Sequence, residues 1–332
     1  MKILITGGLG YIGSHTCVEL LNNDYEVIII DNLCNSQESI VERIKQITNK
    51  NFKLYIGDVR DKSLLNKIFQ ENEINSVIHF AGLKSVGESN QMPLEYYDNN
   101  LGSMITLLEV MNNYNVKDLV FSSSATVYGD SKIVPVTEEL ETGKVNCPYG
   151  RTKVMIEDIL KDLYKSDNKW NIIILRYFNP IGAHPSGLIG ENPNGIPNNL
   201  LPYITQVASG KLEYLRIFGN DYDTIDGTGV RDYIHVCDLA YGHLCAIKTV
   251  KSNSGLKIYN LGTGKGYSVL DVVNAFEKAT GIKIKYKIVQ RREGDIAISY
   301  SDPSKAFKEM NFKATRTLED MCKDQWNWEK RK

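Results

Sequence analysis

Tyr149 and Lys153 stand four residues apart, a spacing that places both side chains on one face of a helix. A run of three serines, Ser122 to Ser124, ends 25 residues before Tyr149 and closes a stretch typical of a β-strand. These residue types can supply a phenol that accepts a proton, a cation that makes the phenol more acidic, and a hydroxyl that orients a substrate. A phenol with a pKa of about 10 needs roughly 4 kcal/mol to act as a base near pH 7, and a cation about 5 Å away supplies roughly 3 kcal/mol. The sequence therefore predicts a general base at Tyr149 that depends on Lys153.

A glycine-rich turn stands at the start of the chain. Gly7, Gly10 and Gly13 follow the first predicted strand and open a helix. Such glycines permit a tight turn, close approach of the backbone to a pyrophosphate, and packing of the helix on the strand, while the helix N-terminus faces the phosphate charge. Asp31 ends the second predicted strand, 18 residues after Gly13, where a carboxylate can accept a hydrogen bond from a ribose 2′-hydroxyl. Since no lysine or arginine follows at residues 32–36, the sequence predicts NAD rather than NADP, and the positive nicotinamide would complete the activation of the tyrosine.

The residues after the third and fourth predicted strands extend this cofactor site. Asp58 follows the third strand, where it could reach the adenine. The segment Phe80-Ala81-Gly82-Leu83-Lys84 closes the fourth strand, and its small residues suit close approach of a cofactor. The ammonium of Lys84 could offset phosphate charge.

Short apolar, β-branched segments alternate with helix-length segments through the first half of the chain. Near-continuous apolar runs are typical of parallel strands covered on both faces. The alternation predicts an α/β fold, a doubly wound parallel sheet of the Rossmann type. The predicted strands are Ile3–Thr6, Glu26–Ile30, Lys53–Ile56, Ser76–Ala81, Lys117–Ser122 and Asn171–Tyr177, and the main predicted helices are Pro93–Tyr114 and Pro148–Tyr164.

The pattern changes after Pro180. Residues 180–202 hold five of the nine prolines, which predicts a long functional loop that leads into a second, smaller α/β lobe. We therefore expect a cofactor domain over residues 1–180 and a substrate lobe over residues 181–332.

Composition narrows the function classes. Hydrophobic residues make up 42% of the 332 residues, and the formal net charge is −1, so nothing favours a nucleic acid or a membrane surface as partner. The N-terminal stretch lacks the apolar run and cleavage site of a signal peptide. Six scattered cysteines without a CxxC pair indicate free thiols in a reducing compartment, and five histidines show no metal-binding spacing. We expect a cytoplasmic, metal-free protein.

The motifs together resemble the extended short-chain dehydrogenase/reductase family, and within it the UDP-hexose 4-epimerases. The resemblance runs from the N-terminus to about residue 305, and its most specific part is the long segment 218–236. The segments that carry it are 7–14, 31–36, 80–84, 121–129, 149–153, 176–179, 218–236 and 291–295.

The resemblance implies a reaction and a set of site residues. Tyr149, helped by Ser124, would take the proton of the sugar 4-hydroxyl while hydride passes from carbon 4 to NAD, and the 4-keto sugar would turn over and regain the hydride on its other face. The implied cofactor-binding residues are Gly7, Gly10, Tyr11, Ile12, Gly13, Asp31, Asn32, Asn35, Ser36, Asp58, Val59, Phe80, Ala81, Gly82, Lys84, Asn99, Tyr149, Lys153 and Phe178. The implied substrate-binding residues are Ser124, Tyr149, Asn179, Asn199, Leu200, Arg216, Phe218, Arg231, Arg292, Asp295 and Ser299.

The resemblance also implies three features beyond the reaction. The chain should return to the first lobe near residues 215–245. A two-fold homodimer should form through the helix 93–114 and the helix after Tyr149. The helix 93–114 carries two apolar stripes, of which one must face the sheet and the other meets either the partner or a neighbouring helix. The small Ser299 should leave room beside carbon 2 of the hexose, so that N-acetylated UDP-sugars are also accepted, unless a one-residue shift puts Tyr300 there.

Two rival functions share this fold. A nucleotide-sugar 4,6-dehydratase needs an acid beside the catalytic serine, but Ser124 is followed by Ala125, Thr126 and Val127. A non-catalytic NAD-sensing regulator would be expected to lose Tyr149 or Lys153, and both are present.

Overall fold

The computed structural model describes residues 1–192, 197, 199–252, 255–292 and 295–332. The strands are β1 (Lys2–Thr6), β2 (Glu26–Asp31), β3 (Lys53–Ile56), β4 (Ile74–His79), β5 (Asp118–Ser124), β6 (Asn171–Tyr177), β7 (Asn179–Ile181), β8 (Leu215–Phe218), β9 (Val230–His235), β10 (Leu256–Leu261), β11 (Gly266–Ser268), β12 (Tyr286–Val289) and β13 (Ile298–Ser299). The α-helices are α1 (Tyr11–Asn22), α2 (Ile40–Thr48), α3 (Lys62–Glu71), α4 (Val86–Gln91), α5 (Pro93–Asn113), α6 (Pro148–Ser166), α7 (Leu200–Ala208), α8 (Val236–Val250), α9 (Val269–Thr280), α10 (Ser304–Met310) and α11 (Leu318–Arg331). Residues Ala125–Tyr128 form a 3₁₀ helix.

In the described part of the chain, seven parallel strands form one sheet in the order β3-β2-β1-β4-β5-β6-β10. Successive residues of β1 point to opposite faces, so Ile3 and Ile5 join one hydrophobic core while Leu4 joins the other. Both faces are covered by helices, which explains the near-continuous apolar runs of these strands. The predicted α/β, doubly wound fold is confirmed.

Helix α5 buries residues of both apolar stripes within the chain, which agrees with the alternative that the second stripe meets a neighbouring helix, while the homodimer stays a prediction. Met104 and Met111 of the first stripe and Leu107 and Val110 of the second are all buried in the core on one side of the sheet. The helix packs on the sheet and also contacts α3 and α6, so both apolar stripes are needed to cover these contacts.

The rest of the chain builds smaller sheets and a third core. Strand β9 pairs with β7, β11 and β13, and β8 pairs with β12. Helices α7, α9 and α11 cover a core that includes Leu201, Phe276 and Met321. The division of the chain at residue 180 stays a prediction.

The chain returns to the large sheet after β9. Helix α8 packs on α1, and β10 pairs in register with β6, so the returning segment extends to Leu261. The return was expected near residues 215–245. The prediction assigned part of that range to the return. Helix α8 begins within the range and packs on α1, whereas β8 pairs with β12 outside the large sheet. Among the described residues, no helix has the length and apolarity needed to cross a membrane.

Candidate active site

Strand β5 and helix α6 bring the predicted catalytic residues together. Lys153 is only 6% exposed, donates a hydrogen bond from Nζ to the carbonyl of Ser122 at 2.8 Å, and lies 5.9 Å from the centroid of the Tyr149 ring. Burial lowers the pKa of Lys153 to about 8, and the carboxylate of Glu157 opposes that shift. The ammonium group therefore lies close enough to the phenol to stabilise its ionised form.

The phenol of Tyr149 lies at the start of α6, beside the end of β5. Pro148 occupies the first turn of α6 and Cys147 caps it, so Tyr149 is held in the first turn. Burial raises the pKa of Tyr149 to about 12, and a hydrogen bond with the Ser124 side chain opposes this shift. The hydroxyl of Ser124 also accepts from the backbone N–H of Thr126 at 3.2 Å. Tyr149 therefore needs additional positive charge before it can act as a base near neutral pH.

The glycine-rich turn lies between β1 and α1 and leaves no space for a Cβ atom at Gly7 or Gly13. A Cβ on Gly13 would lie 2.3 Å from the carbonyl oxygen of Gly7, and a Cβ on Gly7, whose φ is +68°, would lie 2.9 Å from the backbone nitrogen of Ala81. The same nitrogen donates to the hydroxyl of Thr6 at 3.2 Å. Tyr11 and Ile12 form the first turn of α1. Gly7 and Gly13 thus hold a tight turn, here called the cradle, of the kind whose backbone binds a phosphate group at a helix N-terminus.

Asp31 places a carboxylate at the rim of this cradle. It is 7% exposed and accepts hydrogen bonds from the backbone N–H of Leu9 at 2.9 Å and from the hydroxyl of Ser36 at 2.7 Å. The N–H of Leu33 donates at 2.9 Å to Oδ1 of Asp31, the same oxygen that accepts from Ser36, and these bonds fix the loop after β2 around the carboxylate. A buried carboxylate in this position suits recognition of a ribose hydroxyl.

Arg60 is a neighbour of Asp58 that the sequence analysis missed. Its Nε and Nη2 donate to Asp58 at 3.0 and 2.9 Å, and these bonds lower the pKa of Asp58 to about 2. The side-chain amide of Asn32 donates to the same carboxylate at 3.2 Å. Asp58 and Asn32 therefore form one polar rim at the ends of β2 and β3, while Val59 is buried beside them.

Asn100, the neighbour of the predicted cofactor residue Asn99 on α5, is buried, whereas Asn99 is half-buried. The amide of Asn100 accepts from the N–H of Leu83 at 2.8 Å and donates to the hydroxyl of Thr152 at 3.0 Å. The hydroxyl of Thr152 in turn donates to the carbonyl of Tyr149 at 2.7 Å. Asn100 therefore ties the loop after β4, with its predicted cofactor residues, to the first turn of α6.

Glu191 is another residue that the sequence analysis missed. One of its oxygens, Oε1, accepts from Lys84 Nζ at 3.3 Å and from the amide of Asn199 at 2.6 Å. Its other oxygen, Oε2, is buried and has no hydrogen-bond partner within the described ranges. Lys84, a predicted cofactor residue, and Asn199, a predicted substrate residue, thus bind the same carboxylate oxygen.

The predicted diphosphate residues converge on Asp295. Arg292 donates to Asp295 from Nε at 3.2 Å and from Nη2 at 3.3 Å, and Arg231 Nη2 lies 4.0 Å from the same carboxylate. The guanidinium of Arg292 lies 5.3 Å from the ring centroid of Phe218. Two guanidinium groups and an aromatic face are therefore gathered at the ends of β8 and β9, a set suited to a nucleotide diphosphate.

Ser299 lies on the same face of its sheet as Arg231. The two residues are in-register partners of the parallel strands β13 and β9, and such partners point to one side. Tyr300 belongs to the opposite side, where its ring would be 3.4 Å from a Cβ on Gly266, the register partner of Asp232.

The other predicted residues are distributed around these groups. Arg216 is exposed and donates to the hydroxyl of Tyr203 at 3.2 Å. Phe178 is buried next to the exposed Asn179, which begins β7, and Leu200 is the first residue of α7. The remaining cofactor candidates lie in loops after β2 and β4, namely Asn35, Phe80 and Gly82. Within the described ranges, no group of three or more His, Cys, Asp or Glu side chains could hold a metal ion.

Comparisons with known proteins identify the family of the chain. The sequence model of the NAD dependent epimerase/dehydratase family matches residues 3–262. The UDP-glucose 4-epimerase of Haemophilus influenzae is 63% identical over 330 residues, which cover 99% of this chain and 98% of that protein.

Two solved structures are similar over the full length of the chain. The UDP-glucose 4-epimerase of Bifidobacterium longum in complex with NAD+ and UDP has a TM-score of 0.97 and 55% identity, and the match covers 100% of this chain and 98% of that chain. The UDP-glucose-4-epimerase of Stenotrophomonas maltophila with bound NAD and formylated UDP-arabinopyranose has a TM-score of 0.98 and 50% identity, with the same coverage of 100% and 98%.

Proposed function

Because this chain belongs to the NAD dependent epimerase/dehydratase family, we propose that it is a 4-epimerase that interconverts UDP-glucose and UDP-galactose with NAD as cofactor. The observation that carries the proposal is the convergence of Tyr149, Lys153 and Ser124 at the edge of the sheet that also holds the glycine-rich cradle. The full-length similarity to UDP-glucose 4-epimerases supports the choice of substrate.

The cradle and its rim fit NAD. The turn at Gly7 and Gly13 excludes side chains, as a pyrophosphate site requires, and Asp31 offers a carboxylate to a ribose hydroxyl. The residues that would hold the cofactor are those of the cradle together with Asp31, Asp58, Lys84 and the Tyr149/Lys153 pair. NAD bound there would supply the acceptor for hydride from carbon 4 of the sugar and the donor that returns it to the opposite face.

The chain's own residues manage the proton and the position of the sugar. Tyr149 takes the proton of the 4-hydroxyl and later gives it back, and the ammonium of Lys153 stabilises the phenolate. The side chain of Ser124, which is hydrogen-bonded to Tyr149, orients the phenol and the sugar 4-hydroxyl toward each other. The proton is thus exchanged within a site that needs no other acid.

The nucleotide anchors the substrate while the hexose turns. Arg231 and Arg292 bind the diphosphate through forked guanidinium donors, and Phe218 lies against the uracil. Because this binding energy lies away from carbon 4, the sugar ring can present either face without release of the substrate. Asn179, Asn199, Leu200 and Arg216 complete this nucleotide site.

The residue types in the 3₁₀ helix after Ser124 favour an epimerase over a 4,6-dehydratase. Residues 125–128 are Ala, Thr, Val and Tyr, so this segment contributes no carboxylate next to Ser124. The retained Tyr149 and Lys153 disfavour a purely NAD-sensing regulator.

The small Ser299 extends the substrate range to UDP-GlcNAc and UDP-GalNAc. It shares a face with Arg231, whereas Tyr300 points to the other side, so space is left beside carbon 2. A bulky aromatic at this position would cost about 1–3 kcal/mol for the acetamido group. Ser299→Tyr should keep turnover of UDP-galactose and lose most turnover of UDP-GalNAc. An unchanged ratio of the two activities would refute this role.

The active protein is a homodimer in the cytoplasm. The exposed Leu94 and Ile105 on α5 and Met155 on α6 offer an apolar surface to a second copy. All six cysteines are free, as a reducing compartment requires. Light scattering at micromolar concentration should give the dimer mass, and Ile105→Glu should shift it toward the monomer. A monomeric wild type would contradict the assembly.

The reaction is tested by product analysis of the purified protein with UDP-galactose. UDP-glucose should form without net release of NADH, and Tyr149→Phe should retain UDP binding but turn over about 10²–10⁴-fold more slowly. Accumulation of NADH or of a dehydrated sugar would overturn the assignment, and a variant as fast as wild type would remove Tyr149 from its role.

A further inference from the structure

A fully buried ion pair lies directly behind the proposed catalytic residues. Glu157 on α6 is 1% exposed and Arg176 on β6 is 2% exposed. The guanidinium donates to both carboxylate oxygens, from Nε to Oε1 at 3.0 Å and from Nη2 to Oε2 at 2.6 Å. This forked geometry is the strong form of a charged hydrogen-bonded pair.

The pair connects every element that holds the catalytic groups. The hydroxyl of Ser123, on β5 next to Ser124, donates to Glu157 Oε1 at 2.7 Å. Arg176 Nη1 donates to the hydroxyl of Tyr128, at the end of the 3₁₀ helix, at 2.9 Å. The network therefore fastens α6 to β5, to β6 and to the 3₁₀ helix that follows Ser124.

Stability alone does not explain a buried charge pair at this place. Removing two charges from water is costly, and well-packed apolar residues of similar volume often stabilise a fold equally well. Glu157 stands one helical turn after Lys153, on the same buried face of α6. The carboxylate is thus directed to the neighbourhood of the one ammonium group that the reaction needs.

We propose that Glu157, oriented by Arg176 and Ser123, is a positioning residue that fixes α6 against β5 and places a carboxylate one helical turn from the ammonium group of Lys153, beside Tyr149. This role rests on the proposed function, because Lys153 matters only if Tyr149 is the base. It concerns residues that do not touch substrate or cofactor.

The titratable groups that face Lys153 are few among the described residues. Tyr149 and Glu157 lie on its own helix, and His79 faces it from β4. Arg176 of β6 adds a positive charge that is bound to both oxygens of Glu157. Burial, together with the charge of Lys153, lowers the pKa of His79 to about 3, so this ring is neutral near pH 7. Glu157 is therefore the group that opposes the effect of burial on Lys153.

The negative charge of Glu157 determines the direction in which the pKa of Lys153 shifts when this carboxylate is removed. Burial lowers the pKa of Lys153 to about 8, and Glu157 raises it, so loss of the carboxylate lets Lys153 release its proton at lower pH. At about 6 Å and an effective dielectric of about 20, a unit charge shifts a pKa by roughly one to two units. The alkaline fall of kcat should therefore move down by about one to two pH units in Glu157→Gln.

The test compares pH profiles of kcat and KM for UDP-galactose in wild type, Glu157→Gln, and Glu157→Gln/Arg176→Met. The double variant leaves no uncompensated guanidinium, so it covers the case in which the single variant fails to fold, and its shift should be smaller but in the same direction. Asp162→Asn, a matched loss of charge at an exposed position of α6, should leave the profile unchanged.

A second readout does not depend on activity. The pH dependence of acetylation of Lys153 by trace acetic anhydride, followed by mass spectrometry, reports its pKa in the purified protein. A downward shift in either Glu157 variant supports the proposal. An unmoved alkaline limb and an unmoved labelling curve in a folded variant would overturn it. If the wild type is inactive but the labelling curves of the Glu157 variants are shifted relative to it, the epimerase is refuted and the effect of Glu157 on Lys153 is established.

Discussion

Lys153→Met is expected to slow the reaction about 100-fold at pH 7. The ammonium group lies 5.9 Å from the centroid of the Tyr149 ring. With an effective dielectric of about 20, a unit charge at that distance stabilises the phenolate by about 3 kcal/mol, or about two pKa units. Tyr149 acts as a base only as phenolate. Each unit by which its pKa rises therefore lowers turnover about tenfold at a pH below that pKa. Methionine keeps much of the length and apolar stem of lysine, so the change isolates the charge.

The pH profile distinguishes loss of charge from loss of fold. Wild-type kcat should fall on the alkaline side as Lys153 loses its proton, since burial lowers its pKa to about 8. Lys153→Met has no such proton to lose, so its slower rate should keep rising with pH as Tyr149 ionises. Lys165→Met, at an exposed position of the same helix, is the matched control. A Lys153→Met variant with turnover within about threefold of wild type, or with the wild-type profile, would refute this reasoning.

Three further predictions concern NAD binding at Asp31 and at Gly13, and the stability that Asn100 contributes. Asp31→Ala should weaken NAD binding by about 1.5–3 kcal/mol and relax discrimination against NADP in calorimetry, because a ribose hydroxyl loses a charged acceptor, and unchanged affinity and selectivity would make Asp31 only a strand-end residue. Gly13→Ala should abolish NAD binding, since its Cβ would lie 2.3 Å from a backbone oxygen, whereas Gly87→Ala, with open space around it, should bind NAD like wild type. Asn100→Ala should lower the free energy of unfolding in urea by about 1–3 kcal/mol, because it leaves the Leu83 N–H without its acceptor, and a wild-type midpoint would show that the tie to α6 carries no stability.

The local sequence pattern was sufficient to predict six of the seven strands of the central sheet. The six predicted strands match β1 to β6 with bounds that differ by at most two residues, because each carries its own apolar, β-branched run. Strand β10 was not predicted. Its segment, Leu256–Leu261, contains a lysine, a tyrosine and an asparagine, and it becomes a strand by pairing with the distant β6. Contacts between residues so far apart in the chain leave no local periodic signal.

The groups that surround the site were harder to predict than those within it. Glycine spacing and the Tyr149/Lys153 pair have fixed local geometry, whereas Asn100 and Glu191 acquire their roles only when separate elements meet. Arg176 did carry a signal, because a lone guanidinium within the apolar strand β6 needs a buried partner. Glu157, four residues after Lys153, was the available candidate for that partner.

The most direct test of the account uses UDP-galactose that carries deuterium at carbon 4. If hydride leaves carbon 4 and returns to it within one site, the UDP-glucose formed should retain deuterium at carbon 4, as measured by mass spectrometry and proton NMR. Loss of the label to solvent, or its appearance at carbon 6 of a deoxy sugar, would contradict the proposed 4-epimerase.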